Sequence, residues 1–129
     1  MKRLIGMVVA IIGVASLVMG IIFIVQSNSG KKQVADDIAP LALSEVNARY
    51  DAVSTLNAQF IAAEEPKIQA KQAQPSAMYN YLTAQRDGLG LAKANIGVVG
   101  FTMMNGVMDI VLGVGLFLVG FVFIAREKA

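Results

Sequence analysis

The stretch LIGMVVAIIGVASLVMGIIFIV, residues 4–25, carries no charge, and Ser16 is its one polar side chain. As a helix it would reach about 33 Å, against a hydrocarbon core of ~30 Å. Lys2 and Arg3 precede it, as in a secretory leader. The apolar run is too long for a leader's core of about 7–15 residues, so an uncleaved signal-anchor helix over residues 1–25 is expected.

A second apolar block, IGVVGFTMMNGVMDIVLGVGLFLVGFVFIA, fills residues 96–125 and is closed by Arg126, Glu127 and Lys128. A helix of that length reaches about 45 Å, more than the core requires. Its outer third is therefore expected to project above the membrane or to kink near Gly97 and Gly100. These two blocks explain why 56% of the chain is hydrophobic while only 16% is charged.

Glycine recurs every seventh residue in both blocks: Gly6, Gly13 and Gly20, then Gly106, Gly113 and Gly120. A seven-residue period holds one helix face toward a partner, and small residues there let backbones approach closely in lipid. If the two helices run antiparallel, pairing Gly6 with Gly120, Gly13 with Gly113 and Gly20 with Gly106 keeps one constant register. The same seams could instead pack copies of the chain against one another; the spacing allows both.

Thr102, Asn105 and Asp109 form a polar stripe at i, i+3 and i+7 on the glycine-bearing side of the second helix. An ionisable group inside a membrane helix marks a functional candidate, here a proton or ion site or a helix contact. Counted from Arg126, Asp109 lies about 25 Å along the axis, which puts it near the outer edge of the core. A hydrogen bond to Ser16 across the helix pair is the structural alternative. A glycine-rich first helix with a carboxylate on the second resembles the ring subunits of rotary ATPases. Those subunits have a short loop and a mid-membrane carboxylate, and this chain departs on both counts, so the family is not assigned.

Residues 26–95 are polar and alanine-rich, with seven charges of each sign. Gln26–Gly30 reads as a turn, residues 41–65 as a helix bounded by Pro40 and Pro66, and residues 76–87 as a helix capped by Ser76 and stopped at Gly88. Leu43, Val46, Tyr50, Val53 and Phe60 form the apolar seam of the first, and Met78, Tyr81 and Leu82 the inward face of the second. The fold class expected is all-α: two antiparallel transmembrane helices, the second over residues 96–129 with its short tail. A helical hairpin stands between them outside the cytoplasm, giving a four-helix-like arrangement. A connecting segment of this length translocates largely regardless of its charge. Both termini are therefore expected inside, and the membrane to be that of a prokaryotic cell.

The composition restricts the chemistry. There is no histidine, cysteine or tryptophan, so disulfides, thiolate catalysis and a serine–histidine pair are excluded. Intramembrane aspartyl proteolysis needs two carboxylates, and the spans hold only Asp109. Asp36-Asp37 and Glu64-Glu65 lack calcium-loop spacing, and Met103, Met104 and Met108 have no histidine or cysteine to complete a copper site. A net charge of +2 with both signs interspersed gives no nucleic-acid footprint. The expectation is a non-enzymatic membrane protein without cofactor. Its partners would be lipid and either further copies of itself or a larger membrane complex. An ion- or proton-conducting oligomer built on Asp109 is the alternative, and an outward-facing sensor with a separate signalling partner the third.

Overall fold

The computed structural model describes residues 2–126, and all the regular structure in them is helical. Helix α1 covers Lys2–Asp37, a 3-10 turn covers Leu43–Glu45, α2 covers Val46–Gln69 and α3 covers Ala77–Arg126. Two of the three helices, α1 and α3, are long and apolar enough to cross a membrane.

Three expected breaks are absent. Gln26–Gly30 is helical, and α1 continues to Asp37. Gly88 and Gly90 lie inside α3, which runs unbroken for 50 residues, so the helix expected to end at residue 87 does not end there. Pro66 lies within α2, one turn before its end, where it deprives the carbonyl of Ala62 of its helical donor. The helix expected over residues 41–65 is thus displaced to Val46–Gln69, with Leu43–Glu45 as a 3-10 entry.

The chain divides into two compact units, one of Met1–Lys31 with Val98–Ala129 and one of Lys32–Gly97. The second unit has a small core in which Val34, Val46 and Ala92 are buried, with Ile38, Leu41, Leu43 and Ile96 packed around them. Val53 and Leu82 are also buried. Along α2 the inward positions are Val46, Tyr50, Val53, Asn57, Phe60 and Glu64, in alternating steps of four and three, which is the seam period of a coiled coil. Facing them on α3 are Ser76, Thr83 and Gly90: Ser76 bonds Glu64, Thr83 bonds Asn57, and Gly90 lies against the ring of Tyr50. In each pair the residue number falls on one helix as it rises on the other, with a constant sum of 140.

Met78 and Tyr81 are exposed, contrary to the expected inward face, and only Leu82 of that trio is buried. The side of α3 toward α2 is taken by Ser76, Tyr79, Thr83 and Arg86, all four of which bond α2 side chains. Between α2 and α3 the chain turns through Lys71, at φ 58°, with Lys71 and Gln72 donating back to the carbonyls of Ile68 and Lys67.

Candidate functional site

In the unit that holds the apolar segments, the glycines meet in pairs. A Cβ on Gly6 would fall 2.9 Å from the carbonyl oxygen of Gly120, one on Gly13 2.8 Å from that of Gly113, and one on Gly20 2.6 Å from that of Gly106. The reverse substitutions on α3 meet the carbonyls of Gly6, Gly13 and Gly20 at 2.7–2.8 Å. All six glycines are buried. A side chain on any of them would occupy space now filled by the opposite backbone, which is why only glycine fits at these positions.

The register continues past the glycines. Ser27, seven residues beyond Gly20, is buried, and its hydroxyl donates to the carbonyl of Val99, seven residues before Gly106, at 3.0 Å. Ser16 donates to the main-chain carbonyl of Asp109 at 2.9 Å. Each bond gives a hydroxyl an acceptor at no cost on the acceptor side, because a carbonyl has a second lone pair. At the end of this unit Lys31 Nζ donates to the thioether of Met103 at 3.3 Å, a weak acceptor.

The polar stripe flanks the seam. Thr102 donates to the carbonyl of Val98 one turn back in its own helix, so its hydroxyl is satisfied locally. Asn105 and Asp109 are half-buried. Among the described residues neither side chain has a hydrogen-bond partner; the bond with Ser16 goes to the Asp109 backbone and leaves the carboxylate free. That bond also sets the level of Asp109 along α1. Ser16, level with it, is about 18 Å along the axis from Leu4 and about 14 Å from Val25. Asp109 therefore sits opposite the middle of the first apolar run of α1.

The outward faces of both helices are apolar and open: Leu4, Ile11, Phe101 and Val111 are each at least 60% exposed. Gly97, Gly100 and Gly115 face open space, so the close approach involves one side of α3 alone. Among the described residues no group of three acidic, histidine or cysteine side chains could hold a metal ion.

A second polar constellation, in the Lys32–Gly97 unit, does not follow from any motif. Asn57 is fully buried at a seam position; its amide donates to Thr83 Oγ1 at 3.0 Å, and its carbonyl oxygen accepts from Arg86 Nη1 at 3.1 Å. Arg86 is also paired with Asp87 at 2.8 Å. Where α2 meets the start of α3, Glu64 accepts from the Ser76 hydroxyl at 2.7 Å and the Ser76 amide at 2.9 Å. Ser76 in turn caps α3 by accepting from the Tyr79 amide, the role its position before the helix suggested. The two Ser76 bonds hold the Glu64 carboxyl below its usual range. Next to it Tyr79 donates its hydroxyl to Glu65 at 2.7 Å, and that bond raises the phenol above its usual value. The signal for Asn57 was the step from Val53 to Phe60, which leaves a seam position between them that the alternation of four and three assigns to Asn57.

No protein-family model, curated protein or solved structure matches the chain.

Proposed function

We infer that this is a two-span membrane protein whose α1 and α3 form an antiparallel helical pair within one chain. It serves as a non-enzymatic structural or accessory subunit that assembles with itself or with a larger membrane complex. Both termini lie in the cytoplasm, and the polar residues between the spans stand on the other side. The observation that carries the pairing is the run of three glycine–glycine contacts in one register, extended by Ser27 and Val99. The accessory role is supported by chemistry: the spans hold a single carboxylate, and the polar groups of the outer unit are occupied with one another.

The pairing changes how assembly must work. The six seam glycines are used within the chain, so contacts to other subunits draw on different faces. Purification in a mild detergent with native mass measurement tests the reading. A complex larger than one chain is expected, and an isolated monomer would defeat it.

One observation favours a second reading, an ion- or proton-conducting oligomer. Asp109 lies level with Ser16, near the middle of the apolar run, with its carboxylate unpartnered. A carboxylate at such a depth is costly and tends to mark a path for ions or protons. Asp109→Asn separates the two: lost flux in reconstituted vesicles with assembly intact favours conduction.

A further inference from the structure

Asn105 and Asp109 lie on α3 between the glycine seam and the exposed Met108 and Leu112. At 100° per residue, Asn105 is turned about 100° and Asp109 about 60° to one side of Gly106. Both are half-buried, and neither side chain has a hydrogen-bond partner among the described residues. Apart from each other, one turn apart on the same helix, no group in the spans can serve them. No lysine or arginine occurs between Arg3 and Lys31 on α1, or between Lys93 and Arg126 on α3. Thr102 and Ser16 already give their protons to main-chain carbonyls. In hydrocarbon there is no water to replace the missing partners.

We propose that this face is the contact between two copies of the chain, in which Asn105 of each copy donates its amide N–H to the Asp109 carboxyl of the other. The inference rests on the assembly reading given above and specifies its surface. The membrane itself makes a second copy the fitting occupant, because it holds every copy at the same depth and in the same direction. Asn105 and Asp109 of one chain are thereby presented level with the same two residues of its neighbour. A two-fold pairing of one patch with itself is the commonest way a protein forms a dimer. The patch is self-complementary: the amide supplies donors, the carboxyl supplies acceptors, and they stand one helical turn apart. Interhelical hydrogen bonds between such side chains are an established source of association in lipid.

The chain has no cysteine, so a single introduced thiol can form only an interchain disulfide. Leu112, seven residues after Asn105 and exposed, shares its side of the helix, whereas Val114 at nearly the same depth faces away from it. In native membranes under oxidation, Leu112→Cys is expected to give a covalent dimer and Val114→Cys is not; both variants keep Asn105 and Asp109. In mild detergent the wild type is expected to be oligomeric. Asn105→Leu and Asp109→Leu should weaken self-association roughly three- to thirtyfold, the range such hydrogen bonds cover, while Asp109→Asn retains it. A wild type that is oligomeric, with no Leu112→Cys crosslink and leucine variants that associate normally, would overturn the proposal and leave the assembly reading standing. A monomeric wild type would remove both.

Discussion

The Ser16 hydroxyl donates to the main-chain carbonyl of Asp109 across 93 residues of sequence, at 2.9 Å. This contact sets α1 against α3 at the same level that the glycine pairs require, and it brings Asp109 opposite the middle of the first apolar run. It also separates two roles that one residue could have filled. The backbone of Asp109 belongs to the intrachain pair, while its carboxylate remains available on the flank.

A glycine in the seam and one outside it should respond oppositely to alanine. At Gly13 a Cβ would come 2.5 Å from the amide nitrogen of Phe117, so Gly13→Ala forces the backbones apart. A loss of about 1–3 kcal/mol is expected, typical of overpacking. At Gly115 a Cβ meets nothing, and Gly115→Ala should be neutral or stabilising by up to about 1 kcal/mol through helix propensity. Reversible unfolding in detergent measures both.

Ser27→Ala removes a buried hydroxyl whose partner, the carbonyl of Val99, keeps its place in the helix. The cost should be small, about 0.6 kcal/mol, with the register unchanged. The same unfolding assay reads it. A loss several times larger would mean that Ser27 holds more than this one bond.

Asn57 connects Thr83 and Arg86 from a fully buried seam position. Asn57→Leu leaves the Thr83 hydroxyl and one side of the Arg86 guanidinium without their partner, and should destabilise the Lys32–Gly97 unit by about 1–3 kcal/mol. A double-mutant cycle with Thr83→Val should show strong coupling, because the second substitution removes a group already orphaned by the first.

The contact between Glu64, Ser76 and the start of α3 should weaken at both extremes of pH. The Glu64 carboxyl is held below its ordinary value of 4.5 by its Ser76 bonds. Its contribution is therefore complete above the unfolded value and is lost as pH falls through the lowered one. Tyr79 has the opposite sign. Its phenol is raised above 10.0 by donating to Glu65, so that contribution is complete below the unfolded value and is lost as pH rises through the raised one. Protection of the Tyr79 amide, its exchange relative to the intrinsic rate at each pH, should be greatest between those limits. Glu64→Gln should flatten the acid limb, and Tyr79→Phe the alkaline one.

The seven-residue glycine period was legible in the sequence, but spacing alone allows the seams to pair within one chain or between copies. The helix ends were much less legible. Gly30 and Gly88 read as punctuation by their residue type, yet each lies inside a helix, and at Gly30 the side chain of Val99 comes close. A small residue chosen for close approach looks the same in sequence as one chosen for a turn. Ser27 was likewise taken as part of a loop, although it holds the next place in the glycine series. Asn57 was passed over because a seam was sought among apolar residues alone. The free carboxylate of Asp109 could not be foreseen, since spacing does not say whether a serine bonds a side chain or a backbone.

The pairing of α1 with α3 within one chain is tested most directly by a double-cysteine variant, Ser27→Cys with Val99→Cys, in a protein that has no other thiol. These two positions touch in the structure and lie apart from Asp109, so the result does not depend on how copies assemble. Oxidation in native membranes should give a disulfide within the monomer, seen as faster migration without a change in mass. Disulfides formed only between chains would contradict the account.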